Sequence, residues 1–204
     1  LREYLIADEN TPGSSNDFGK NVIPAMHEAG ERMFAYKFDG YWKDVGTIDS
    51  LWEANLDLLN PRINIDLSDT DWPIYCKNSA LAPHFASKDS DIQNSMVSGG
   101  CIIDGKVDFS VLFSNVTVEK GASVEYSIVM PGAVIKKGAK VKYAMVAENA
   151  VIEENAVVGE APEEIKDLEK WGVTVIGSDI TIGKKAKISA NLMIDENVKE
   201  GEVK

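Results

Sequence analysis

A chain of 204 residues, 44% apolar and 26% charged, has the composition of an ordered globular protein with room for one large domain or two small ones. Its net charge of −12 argues against nucleic acid or an anionic membrane as partner, since both require a clustered cationic surface. No apolar run reaches the ~20 residues of a membrane-spanning helix, and the opening LREYLIADEN is not a secretory leader. Cys76 and Cys101 form no CxxC pair, so they read as two buried, reduced thiols of a cytoplasmic protein.

Leu1, Tyr4 and Leu5 share one face of a helix that stops at the turn-rich DENTPGSSND. The segment reads as mid-domain, as the start of a fragment would. Asp17 is placed to cap a short helix carrying Phe18, Val22, Ile23 and Met26, ended by Gly30, with Pro24 early enough that its missing N–H costs little. Residues 33–38 (MFAYKF) predict a strand, followed by a turn at Asp39-Gly40 and a second arm over 41–46. Thr47 then caps a helix with Ile48, Leu51, Trp52, Asn55, Leu58 and Leu59 along one side, stopped by Pro61. Residues 62 to about 90 read as a linker packed on its neighbours, in which Trp72-Pro73-Ile74-Tyr75 is expected to dock as a small strand or plug.

Beyond the linker the chain repeats. Val118-Glu-Lys-Gly-Ala-Ser runs to Val124, Ile135-Lys-Lys-Gly-Ala-Lys to Val141, and Ile152-Glu-Glu-Asn-Ala-Val to Val158, the copies starting seventeen residues apart. Ile182-Gly-Lys-Lys-Ala-Lys, running to Ile188, resumes the pattern, with Lys185 a weaker match at the turn position. Such hexapeptide periodicity is the signature of a parallel β-helix. Each hexapeptide makes one flat side of a triangular coil, the aliphatic residue points inward, Gly or Asn takes the left-handed turn, and Ala fits the tight corner. One coil cannot bury its own face, so stability comes from stacking. A sandwich of short strands is the alternative, but it has no need of x-x-Gly-Ala at fixed spacing. Between Gly159 and Gly172 the repeat breaks; Pro162 with Glu163 and Glu164 starts a short helix whose Ile165, Leu168 and Trp171 form an apolar stripe.

Five stretches carry a resemblance: residues 16–20 (NDFGK), 41–47 (YWKDVGT), 52–58 (WEANLDL), 72–74 (WPI) and 98–101 (SGGC). Together and in this order they resemble bacterial glucose-1-phosphate adenylyltransferase, and the likeness covers essentially the whole chain. It implies a mostly β architecture: the C-terminal remnant of an α/β nucleotidyltransferase domain (1–61), a linker (62–91), and a single-stranded left-handed parallel β-helix (92–204) with a helical insertion near 160–172. The left hand comes from the resemblance alone, since parallel crossovers are normally right-handed. The implied reaction transfers AMP from ATP to glucose 1-phosphate with Mg²⁺, giving ADP-glucose and pyrophosphate for glycogen synthesis. The implied assembly is an allosterically regulated cytoplasmic tetramer, or a hetero-oligomer with a non-catalytic paralogue, with neither nucleic acid nor membrane as partner.

The resemblance also assigns residues. The aspartate of the Trp-x-Asp-Val-Gly-Thr motif, Asp44 here, shares the metal with a second aspartate far upstream that has no counterpart in this chain. Read without the motif, a lone Asp before Val-Gly is a turn or cap residue. Trp42 and Asp17 resemble residues lining the sugar pocket, their plainer readings being a core aromatic and a helix cap. Lys136, Lys137, Lys140 and Lys142 are the candidates for a sugar-phosphate effector site, against the reading of a solvated face. Glu148 stands where some relatives carry a basic residue, which puts the usual activator response in doubt. The family's Gly-rich nucleotide loop and Glu-Lys-Pro motif are missing, so the chain by itself is expected to be inactive. Two readings compete: another sugar-phosphate nucleotidyltransferase, and a structural assembly module. An acyltransferase would need a histidine in the repeats, and the two histidines, His27 and His84, lie outside them.

Overall fold

Every repeat returns the chain to the same three directions. In the computed structural model, which describes residues 1–63, 65–67, 69–75 and 80–204, this produces three parallel sheets of six strands each. The first side stacks Phe85–Ala86, Ile102–Ile103, Thr117–Val118, Val134–Ile135, Val151–Ile152 and Thr181–Ile182. The second runs from Asp91–Gln93 to Lys187–Ile188, the third from Met96–Val97 to Met193–Ile194. The register follows the repeat, with Ile135 opposite Val118 on one edge and Ile152 on the other. Six stacked coils make a parallel β-helix, which begins at Phe85, earlier than the residue 92 expected from the pattern.

The interior is built from three columns. Ile103, Val118, Ile135, Ile152 and Ile182 line the first side; Val107, Val124, Val141, Val158 and Ile188 the second; Leu112, Val129, Val146, Ile176 and Ile194 the third. All are buried. Each contributes about 1.5–3 kcal/mol on leaving water, and stacking makes that contribution collective. Ala122, Ala139, Ala156 and Ala186 are buried at the corner that the repeat reserves for a small side chain. The residue before each alanine takes the left-handed turn: Gly121 (φ 73), Gly138 (φ 70), Asn155 (φ 57) and also Lys185 (φ 57), despite its side chain.

The polar groups of the interior are satisfied by stacking too. Ser110 Oγ accepts from Ser127 N at 3.1 Å, and Ser127 Oγ accepts from Ala144 N at 3.1 Å, so a serine ladder closes the corner between the second and third sides. The same corner carries an aromatic column. Phe109, Tyr126 and Tyr143 all adopt positive φ (43, 49 and 47) and stack, the two tyrosine rings lying 4.8 Å apart and almost parallel. Cys101 is buried, with its thiol donating to Phe113 O, and burial pushes its pKa up. The expectation for Cys76 falls outside the described residues.

Two segments pack on the outside of the coils. Helix α3 (Ile48–Asp57) is capped by Thr47, whose Oγ1 accepts from Ser50 N. Its Ile48 and Trp52 pack with Ile128 and Met145, the outward residues of the third side. Leu56 is buried as well, so the packed stripe is Ile48, Trp52, Leu56, one helical turn apart, while Leu51 of the expected stripe stays exposed. The break after Gly159 holds two 3₁₀ turns, Pro162–Glu164 and Leu168–Lys170, where one short helix was expected. Leu168 is exposed, and Trp171 alone of the expected stripe packs on aromatic rings, against Tyr143 and Trp52. Ile165 between the two turns is extended (φ −110, ψ 131), so Ile165, Leu168 and Trp171 do not share one helical face.

Residues Leu1–Gly40 form a separate compact unit from Tyr41–Lys204. In it, α1 (Arg2–Glu9) buries no residue, and Val22 is the buried apolar side chain. Asp17 caps the next helix as expected, accepting Lys20 N at 2.8 Å. That helix opens with a π turn, Phe18–Val22, before α2 (Ile23–Glu28). Pro24 accounts for the widening, because its ring occupies the space of the carbonyl four residues earlier. The strand expected over residues 33–38 is not formed. Phe34 and Tyr36 are 85% and 88% exposed, and no strand pairs with the segment among the described residues. The 72–75 segment forms neither strand nor plug: Trp72, Ile74 and Tyr75 are exposed.

Candidate functional site

The residues that carry the chemical expectation lie in two places. Asp17 belongs to the first unit; Trp42, Asp44 and the lysines belong to the second. Asp17 spends one oxygen on the π turn and holds its other 3.9 Å from the Lys20 ammonium. A groove of about 370 Å³ in the same unit is lined by Tyr4, Asp8, Lys20, Asn21 and Glu28 among others, and Asp17 is not part of it.

The segment 41–47 is neither helix nor strand, and its side chains alternate. Tyr41 and Lys43 are half-buried; Trp42, 75% exposed, and Asp44 face outward. Trp42 is therefore not the core aromatic its plainer reading suggested. On the inner side, Asp57 Oδ2 accepts from both Tyr41 OH (2.8 Å) and Lys43 Nζ (3.1 Å), and Lys43 Nζ pairs with Glu53 Oε2 at 2.8 Å. The Glu53 contact foremost raises the Lys43 pKa, and burial followed by the Asp57 hydrogen bond raises that of Tyr41. α3, which supplies both carboxylates, is fixed to the coil corner by Trp52, whose indole N–H donates to Tyr126 O at 2.9 Å.

Asp44 is not the cap of α3, a role taken by Thr47. Among the described residues its carboxylate makes neither hydrogen bond nor ion pair, and Gly46 leaves open space beside one of its oxygens. An exposed carboxylate with both oxygens available suits Mg²⁺, which takes few protein ligands and keeps several waters. Among the described residues no three His, Cys, Asp or Glu side chains gather into a metal cluster.

The four candidate effector lysines are not a bare cationic patch. Lys136 pairs with Glu153 and Lys142 with Glu164, each at 2.7 Å. Lys142 foremost, then the Ala161 N–H, hold the Glu164 carboxyl below its usual range, with Lys140 adding to the same field. Lys184, more than Lys136 or Lys137, does so for Glu154. An anion arriving here has to compete with these glutamates. The aromatic corner was not foreseen, although Phe109, Tyr126 and Tyr143 recur at the same seventeen-residue step as the repeats.

Two family models match this arrangement. Residues 81–182 match the GlmU-like C-terminal hexapeptide model, half of the chain. The chain belongs to that hexapeptide family. Residues 2–61 match the nucleotidyl transferase model. The curated relatives of this hexapeptide protein include the glucose-1-phosphate adenylyltransferase of Clostridium perfringens (strain SM101 / Type A), 52% identical over 124 residues, or 61% of this chain and 32% of that protein. The enzymes of the same name from Bacillus thuringiensis (strain Al Hakam) and Bacillus anthracis are each 48% identical over 124 residues, 61% of this chain and 33% of theirs. The hexapeptide protein thus spans about a third of the length of the curated relatives it matches.

Proposed function

We propose that the chain is the C-terminal part of a glucose-1-phosphate adenylyltransferase, which joins ATP and glucose 1-phosphate into ADP-glucose and pyrophosphate. The observation that carries this reading is the succession, within one chain, of a nucleotidyl transferase match over 2–61 and a hexapeptide match over 81–182, alongside relatives of that name at about 50% identity. Asp44 would hold Mg²⁺ together with a ligand from outside this chain. Bound there, the metal neutralises phosphate charge and organises in-line attack. Trp42 offers its exposed face to a hexose ring; the substrate role that the resemblance gives Asp17 would use the oxygen outside its cap hydrogen bond, which lies 3.9 Å from the Lys20 ammonium. The β-helix serves as the assembly element of a cytoplasmic oligomer, a tetramer or a pairing with a non-catalytic paralogue. Lys136, Lys137, Lys140 and Lys142 take a sugar-phosphate effector, in competition with Glu153 and Glu164.

The test is ADP-glucose formation from ATP, glucose 1-phosphate and Mg²⁺, assayed for the parent protein and for this chain. Turnover is expected in the parent and none in the chain by itself. Asp44→Asn in the parent should lower kcat by at least a hundredfold. A parent that uses UTP or GTP and not ATP would move the assignment to another sugar-phosphate nucleotidyltransferase.

A further inference from the structure

Among the described residues, the 41–47 segment joins no sheet, and its backbone is tied at its end alone, where Thr47 O accepts from Leu51 N as α3 begins. Side chains hold the rest, from one face only. Tyr41 and Lys43 converge on a single Asp57 oxygen at 2.8 and 3.1 Å, and Lys43 also reaches Glu53 at 2.8 Å. Exposure alternates along it, half-buried at 41 and 43 and exposed at 42 and 44, as where successive side chains point to opposite sides. Clamping residues 41 and 43 therefore fixes the direction of 42 and 44, the exposed tryptophan and the unengaged aspartate.

We propose that Lys43 is a positioning residue: the Lys43–Asp57–Tyr41 clamp, seated on α3, aims Asp44 at the metal and Trp42 at the sugar. Since it takes Asp44 as a metal ligand, the proposal stands on the adenylyltransferase reading. Lys43 does not itself bind a phosphate, because its ammonium is already shared by two carboxylates on the side away from Asp44. The side chains of Lys43 and Asp57 are only 24% and 25% exposed, so the pair is shielded enough to keep its geometry. The mount beneath it is continuous. Asp57 and Glu53 belong to α3, whose Ile48 and Trp52 pack on Ile128 and Met145 of the coil, with Trp52 hydrogen-bonded to Tyr126 O. The coil thereby holds the metal-binding segment at a fixed height and rotation, which a loop without sheet pairing does not achieve unaided.

Two readouts separate positioning from bulk stability. Amide hydrogen exchange over 41–47, measured in this 204-residue chain, should accelerate about tenfold in Lys43→Met while exchange in the coils is unchanged. In the parent enzyme, the Mg²⁺ concentration for half-maximal rate should rise about tenfold, the loss typical when the group orienting a metal ligand is removed, and Lys43→Arg should recover most of it. If Lys43→Met does not fold, Asp57→Asn, which keeps shape and weakens the clamp, answers the same question. Unchanged exchange over 41–47 together with an unchanged Mg²⁺ requirement would overturn the proposal. If Asp44→Asn leaves the Mg²⁺ requirement unchanged, the metal assignment fails, and the exchange data still decide whether the clamp orders the segment.

Discussion

The coils from Phe85 onward and the first forty residues are made of similar side chains and end in opposite states. In the coils, the inward aliphatics find their partners in the next layer, seventeen residues on in the middle coils and thirty on across the break after Gly159, and from Ile103 onward they are buried. In Leu1–Gly40, α1 buries nothing, and Phe34, Tyr36 and Phe38 stand in solvent. Apolar composition does not make a core; a partner in the adjacent layer does. A solenoid supplies that partner locally, whereas a strand such as the one expected over 33–38 needs neighbours from elsewhere in a sheet.

The sharpest way to break this contrast is to remove a stacked side chain and an exposed one of similar size. Ile135→Ala should cost about 3 kcal/mol in chemical denaturation of the chain, since it opens a cavity between Val118 and Ile152. Phe34→Ala should change stability by less than about 0.5 kcal/mol. Equal effects would mean that the first unit has a core of its own. A second substitution tests the turn column. Lys185 holds φ 57 where other coils use glycine or asparagine, so Lys185→Gly should stabilise by about 0.5–1 kcal/mol, the relief of the left-handed penalty less the entropy glycine adds to the unfolded chain. Loss of stability would show that the Lys185 side chain makes a contact worth more than the strain.

The smallest effect concerns the strap after Gly159. The Lys142 ammonium and the Ala161 N–H lower the Glu164 pKa, so the pair's stabilisation is complete above the unfolded carboxylate value, near 4.3, and is lost as pH falls through the lower folded value. Both side chains are partly exposed, 25% and 49%, which keeps the contribution to a few tenths of a kcal/mol. Stability measured from pH 6 to pH 3 should therefore decline slightly less in Lys142→Met than in the unaltered chain. A decline of the same size in both would mean that the Lys142–Glu164 pair adds nothing to what Trp171 and the Glu160–Ala190 and Lys170–Asn191 hydrogen bonds hold.

The sequence made the middle coils legible because Val118, Ile135 and Ile152 repeat without gaps. The first two coils were hidden for particular reasons. Between Ile103 and Val107 the corner is trimmed by two residues, Gly105 standing in for Ala122, so the hexapeptide is not visible there. The coil before it has Ala86 where the others have Ile or Val. Periodicity also left the hand of the coil open. Within the candidate site, short motifs drew attention to Trp42 and Asp44, but their common orientation depends on Glu53 and Asp57, a helix away, which only packing brings to Lys43. The lysines stand in the sequence as effector candidates or a solvated face, and nothing in it shows that Glu153 and Glu164 lie over Lys136 and Lys142.

The detour after Gly159 shows what the coil tolerates. Gly159 leaves the second side with φ 75, its α-carbon pressed against the Lys142 carbonyl where a methyl group would collide, and the chain returns at Thr174 in register with Ala144. Register is thus set by the layers above and below and is indifferent to the length of chain between sides. This corner is a splice point: the protein can acquire or shed whole segments there, and with them new surface, without renegotiating the architecture that carries them.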